Sequence, residues 1–274
     1  NLTIANIYVE RNEDTTIEGD EVRAIFIGGS NMLIHDNTFY EIGRVIFQNA
    51  SAGDTNIQIY NNEFYNMDHG IACGAPTGIT VGTISIYNNH FHDMDNWDTG
   101  VANAYHHDGI HCFSTGTGQV TTLNIYNNKF SGSQGTCCVT AWIFLEGGTF
   151  RWSTTGTANV YNNIVIGNLD LTNGQLALNG GSVYNIYNNT ILVNQDGTGA
   201  CLRLFEGTGV TVTIKNNAFS GCDTMVNMDA GVSTSTMNYN AYANWNGGGN
   251  VTFQWVGVSA TNSFATWQSQ TGQA

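Results

Sequence analysis

The chain has 274 residues, 41% hydrophobic and 10% charged, with a formal net charge of −14. A surface this acidic repels phosphate backbones and no basic run offsets it, which excludes nucleic acid as a partner; no apolar run reaches the ~18–20 residues of a membrane-spanning helix. Gly, Asn, Thr and aromatics are plentiful while Lys plus Arg number seven, so helix-surface residues are scarce and strand and turn formers dominate.

In chain order, one phrase recurs: an aliphatic residue, a variable one, two Asn or near-equivalents, a variable one, then an aromatic or aliphatic. It reads Ile34-His-Asp-Asn37-Thr-Phe39, Ile59-Tyr-Asn-Asn62-Glu-Phe64, Ile86-Tyr-Asn-Asn89-His-Phe91 and Ile125-Tyr-Asn-Asn128-Lys-Phe130. It continues as Val160-Tyr-Asn-Asn163-Ile-Val165, Ile186-Tyr-Asn-Asn189-Thr-Ile191 and Ile214-Lys-Asn-Asn217-Ala-Phe219, with degenerate copies at Ile4-Ala-Asn6 and Met237-Asn-Tyr-Asn240. From Asn37 the second Asn recurs at intervals of 25, 27, 39, 35, 26, 28 and 23 residues. A period in the twenties with strand patterning predicts a β-solenoid. The fold class is therefore all-β: a single-stranded right-handed parallel β-helix of about nine coils, roughly 40 Å long at the ~4.8 Å strand spacing. Asn tolerates the left-handed turn conformation, and stacked coils align its amides into a ladder. The Tyr before it (Tyr60, Tyr87, Tyr126, Tyr161, Tyr187) forms an outward stripe, read as ladder packing.

Residues 1–242 are assigned to the β-helix and 243–274 to a C-terminal strand and capping segment of the same domain. There Val251–Val256 reads as a strand and Ser263–Gln270 as one short helix, capped by Thr261 or Ser263, whose Phe264 and Trp267 cover the open core end. The chain starts at Asn1 without Met, so a removed targeting peptide or a fragment is expected. Six cysteines lack metal-type spacing, leaving disulfides and buried thiols as alternatives.

The segment Ser263-Phe-Ala-Thr-Trp-Gln-Ser-Gln-Thr-Gly-Gln273 after Asn-rich coils resembles the closing segment of secreted bacterial right-handed parallel β-helix repeat proteins of the pectate-lyase-like superfamily. The resemblance covers nearly the whole chain and implies an extracellular or cell-surface location. That superfamily includes lyases, hydrolases, epimerases and adhesins.

A solenoid carries function where its repeat is violated. The second Asn normally precedes the next inward residue by nine positions (37 to 46, 62 to 71, 217 to 226), but 21 separate Asn89 from Ile110. This 90–113 insert is rich in Asp and His. The following coil is also long, with Val139 or Ile143 as its inward residue. Aligning Ile46, Ile71 and Ile110 places Arg44, His69 and Asp108 in one column, and Phe47, Ala72 and His111 in another. Asp68 falls beside His107, and Arg203 joins the His111 column two coils on. Trp97, Tyr105 and Trp142 or Phe144 wall the patch. The candidate catalytic residues are Asp108, His107, His111, His69 and Arg203. The candidate substrate contacts are Arg44, Asp68, Trp97, Tyr105, Trp142, Phe144 and Glu146. His107 and Asp108 would act as base and orienter or acid. Asp108 with Asp68, Asp95, Asp98 or Glu146 would supply a glycosidase's two carboxylates. His35, His90 and His92 lie at the turn ladder and are read as inert. No metal site is assigned; a transition ion on His106, His107 and His111 is the alternative, and Ca2+ is the cofactor a lyase would bring.

The string His106-His-Asp108-Gly-Ile-His111 partly resembles the Asn-Thr-Asp-Gly-x-Asp motif of polygalacturonase-type glycoside hydrolases, with Asp108 at that family's first catalytic Asp. The family's Asp pair is replaced by Gly135-Thr-Cys-Cys-Val139, and neither Gly-His-Gly nor Arg-x-Lys occurs. The expected function is binding of a polysaccharide across the face formed by the 90–113 insert, with cleavage by a hydrolase or a lyase left open, and the polymer is expected to be neutral rather than polyanionic given the acidic surface. The second reading is a structural or adhesive surface module, self-associating through its solenoid ends.

Overall fold

The computed structural model describes residues 2–10, 23–48, 51–67, 69–94, 107–133, 139–146, 156–167, 174–179, 183–205, 209–228, 232–243, 252–255 and 258–272. The chain winds as a right-handed parallel β-helix. One sheet holds nine strands in strict order, from Leu2–Ala5, Met32–His35, Ile57–Tyr60, Thr80–Tyr87 and Gln119–Tyr126 through Thr157–Tyr161, Val183–Tyr187, Val210–Lys215 and Val232–Asn238. The nine strands give the nine coils that the repeat predicts. Across the whole sheet, residues of equal phrase position face one another, as with Ile86 and Ile125 or Tyr126 and Tyr161.

The two Asn of each phrase divide the work. The first, with Asp36 in its place once, has φ between 54° and 58° from Asn6 through Asn216. That left-handed conformation turns the chain sharply, and Asn adopts it at low cost. The second is buried and builds the ladder. Its Nδ2 donates to the Oδ1 of the next coil's Asn, continuously from Asn37 to Asn240 at 2.9–3.1 Å. The same amide also donates to a carbonyl one coil back, as Asn62 does to Ile34 and Asn128 to Ile86. Each Oδ1 takes a backbone N–H too, as Asn128 does from Asn89. The nitrogen and the oxygen of each buried ladder amide are thus both paired.

Inside, the aliphatic before the turn and the residue two after it fill the core, as expected. Phe39, Phe64, Phe91 and Phe130 stack at 4.6–5.2 Å between ring centres. Outside, His35 and Tyr60, Tyr87, Tyr126, Tyr161 and Tyr187 stack at 4.7–4.9 Å with their ring planes nearly parallel. Each ring face covers the next. A sugar stacks on a ring face, so this stripe offers it only edges.

The Cys alternatives resolve toward disulfides at four positions, Cys73–Cys112 and Cys201–Cys222. Parallel register makes Cys73 and Cys112 direct neighbours on adjacent coils. Cys137 and Cys138 lie outside the described residues.

At the C-terminus, Thr252–Trp255 pairs antiparallel with Val258–Thr261, ending the helical winding. The helix Phe264–Thr271 follows, one residue later than the sequence suggests. Ser263 is its cap, accepting the Thr266 N–H at 3.2 Å, while Thr261 Oγ1 accepts from Ser263 N. Gly272, at φ 66°, closes it with an N–H bond to the Gln268 carbonyl. Trp267 is fully buried, and with Phe264 it packs on Phe253. The predicted cover over the core end is formed by these aromatics.

Candidate functional site

The insert delivers its far end into a second, 17-stranded sheet as the strand His107–Phe113, between His69–Cys73 and Val139–Glu146. Asp108 registers with His69, Ile110 with Ile71 and His111 with Ala72, as the spacing predicts. Arg44 registers with His69 through its backbone. Ile143 is the partner of Ile110, which settles the ambiguous long coil, and Phe144 lies beside His111. The column continues through Ala177 to Arg203. Arg203 is therefore three coils from His111, not two, because the coils of Phe144 and of Leu176–Asn179 both stand between them.

A break in strand alternation gives this sheet its chemistry. Cβ atoms added at Gly70 and Gly109 would each meet core phenylalanines, Phe91 and Phe130 respectively. Glycine thus occupies an inward-facing position directly before the inward Ile71 and Ile110. With two successive inward positions, Asp108 and His111 come to the same side although three residues apart. Their closest atoms, Asp108 Oδ2 and His111 Nδ1, are 3.8 Å apart. On the next coil the glycine position is taken by Trp142, whose neighbours Ala141 and Ile143 register with Asp108 and Ile110. Trp142 is fully buried, tilted against Phe130. It is a core residue, so the sequence-based placement of Trp142 on the wall is corrected. Phe144 lies on the His111 side of the strand, itself buried and stacked on His111 at 5.0 Å.

Four polar side chains converge here. Asp108 is fully buried, and its Oδ1 accepts the Ala141 N–H at 3.0 Å. Its Oδ2 lies 3.6 Å from His69 Nε2. The His69 and His111 rings stack at 5.3 Å. His111 Nε2 is 3.0 Å from Glu146 Oε2, and Glu146 keeps 30% of its side chain exposed. The line Asp108–His111–Glu146 thus runs from the dry interior to solvent. His107 is buried opposite Val139, with a register shift separating it from Asp108. Asp68, Asp95, Trp97, Asp98, Tyr105 and His106 lie outside the described residues.

The sequence nominated His69, Asp108 and His111 through their columns, and Glu146 as a substrate contact. It did not reveal that Glu146 pairs with His111, because that pairing depends on choosing Ile143 over Val139. His90 and His92 sit at the turn ladder, as expected, but they are not isolated. With Glu63 they form a second cluster of potential ligands on the exterior.

A polygalacturonase of Saccharomyces cerevisiae (strain ATCC 204508 / S288c) is 30% identical to this chain over 158 residues, covering 57% of this chain and 39% of that protein. The chain thus spans about two-fifths of the length of the relative it matches. No family model and no solved structure matches it. The parallel β-helix and this similarity together fit the pectate-lyase-like superfamily.

Proposed function

We propose that the chain is an extracellular hydrolase that cleaves a pectin-type polysaccharide across the face formed by His107–Phe113 and Val139–Glu146. The observation that carries this reading is the His111–Glu146 pair, a partly exposed carboxylate held at 3.0 Å by a buried imidazole. Glycoside hydrolysis needs a proton donor for the leaving oxygen and a carboxylate that activates water or attacks carbon. Glu146 is exposed enough to touch a sugar and transfers the proton. His111 fixes its orientation and Asp108, sealed from solvent, positions His111. The second carboxylate that the reaction needs is assigned to the insert, whose sequence offers Asp95 and Asp98.

The polygalacturonase similarity supports hydrolysis over lyase chemistry. The net charge of −14 favours a neutral or methyl-esterified chain over a fully ionised one. Two disulfides suit an oxidising, extracellular compartment.

The test is release of reducing ends from polygalacturonate and from its methyl ester, with absorbance of unsaturated products followed in parallel. The ester should be cleaved faster, without unsaturated product. Glu146→Gln should lower the rate at least ~100-fold at unchanged melting temperature. Retention of full activity by Glu146→Gln, or formation of unsaturated ends, would overturn the assignment.

A further inference from the structure

Three donor atoms meet at the inner end of the site: His69 Nε2, Asp108 Oδ2 and His111 Nδ1. One donor atom from each of the three residues lies within 4.8 Å of the other two, and all three residues are buried. The two distances to Asp108 Oδ2, 3.6 and 3.8 Å, exceed hydrogen-bonding range. They are close to the ~3.4 Å edge of a tetrahedron with metal–ligand bonds of ~2.05 Å.

We infer that His69, Asp108 and His111 bind a first-row divalent transition ion of the Zn2+ type. The donor set is two imidazoles and one carboxylate, which suits such ions, whereas Ca2+ and Mg2+ prefer all-oxygen shells. The supporting contacts are those of a built site. The Asp108 carboxylate is fixed by the Ala141 N–H through its other oxygen, leaving Oδ2 toward the imidazoles. The His111 ring is held at Nε2 by Glu146, which directs Nδ1 to the cluster and raises its basicity. Gly109 creates the turn in strand direction that lets residues 108 and 111 share one side. The set differs from the sequence-based alternative, since it includes His69 from the neighbouring coil in place of His106 and His107.

Three protein ligands leave at least one coordination position for water or a sugar hydroxyl. Within the proposed hydrolase, on which this role rests, the ion would lock His111 and hence Glu146 in place. Metal binding itself does not depend on that reading.

The test uses the full chain, incubated with Zn2+ or Co2+, freed of excess ion by gel filtration and assayed for metal content. Wild-type protein should retain one ion per chain, and the Co2+ form should show the visible absorption of low-coordinate cobalt. The external Glu63/His90/His92 cluster is the competing site. His90→Ala/His92→Ala should therefore keep the ion, His69→Gln and His111→Gln should lose it, and Glu146→Gln should weaken binding ~10–100-fold. Should the buried-site variants fail to fold, imidazole 15N shifts in the wild type give the same answer, since Zn2+ must move His69 Nε2 and His111 Nδ1. No stoichiometric ion, retention by folded His69→Gln, loss in the His90/His92 variant, or ring shifts confined to His90 and His92 would each overturn the inference. Because metal content is read without substrate, bound ion without hydrolysis refutes only the hydrolase reading, and hydrolysis without ion refutes only the metal site.

Discussion

At His90 the surroundings oppose protonation. Partial burial lowers its pKa from 6.5 to about 4, with repulsion from His92 and Lys129 adding to the effect and Glu63 and Asp93 opposing it. The unfolded chain titrates near 6.5, so between pH 6.5 and 4 it binds more protons than the folded one. Stability attributable to His90 is then present above pH 6.5 and is lost as pH falls toward 4. His90→Gln should flatten the decline of the urea midpoint across that window relative to wild type. Parallel curves for the two proteins would refute the assignment. Gly109 makes a second residue-scale case. A Cβ there would stand 2.8 Å from the Trp142 carbonyl and 3.1 Å from Phe130. Gly109→Ala should therefore cost about 1–3 kcal/mol, read from denaturant midpoints, and a neutral result would remove the packing explanation for the strand break. Neither glycine stands out in the sequence, because their role depends on aromatic rings delivered by other coils.

Each coil is locked to the next at the element scale by the Asn ladder, and its dependence on amide chemistry is testable at one rung. Asn128 donates to Asn163 and Ile86 and accepts from the Asn89 backbone and side chain. Asn128→Ala would orphan several of these buried groups at ~1–3 kcal/mol each, for a loss of at least about 3 kcal/mol. Asn128→Asp preserves shape but faces the Asn163 oxygen with another acceptor, so it should be similarly destabilising. Wild-type stability in Asn128→Asp would show that shape, not hydrogen bonding, holds the rung. This part of the fold was legible because the turn needs the same two residues in every coil, so physics printed the period on the chain. The candidate site was less so. Register from Ile46 to Ile71 to Ile110 brought His69 and Asp108 together correctly, since Ile110 resumes the inward column after the insert. Past residue 113 two candidate partners fitted equally, and the Leu176–Asn179 coil changed the count to Arg203.

Across the whole molecule, the regular turn side and the irregular opposite side have different means of closure. Cys73 and Cys112 join neighbouring coils at the end of the site strands, across 39 residues that include the insert. Loop-closure entropy for that span is about 4 kcal/mol, so Cys73→Ser/Cys112→Ser should lower the unfolding free energy by up to this amount. An unchanged denaturation midpoint would contradict a stabilising clamp beside the site. The register of Ile71 with Ile110, which the sequence supplies, already sets Cys73 beside Cys112.

The interrupted face, rather than the aromatic stripe, is where a polysaccharide should bind, and photo-crosslinking tests that placement most directly. An oligosaccharide of the cleaved polymer, carrying a diazirine, would be activated on the protein and the adducts mapped by peptide mass spectrometry. Adducts are predicted on peptides containing residues 107–113 and 139–146. Adducts concentrated on the stripe from Tyr60 to Tyr187, with none on those two strands, would contradict the assignment of the site.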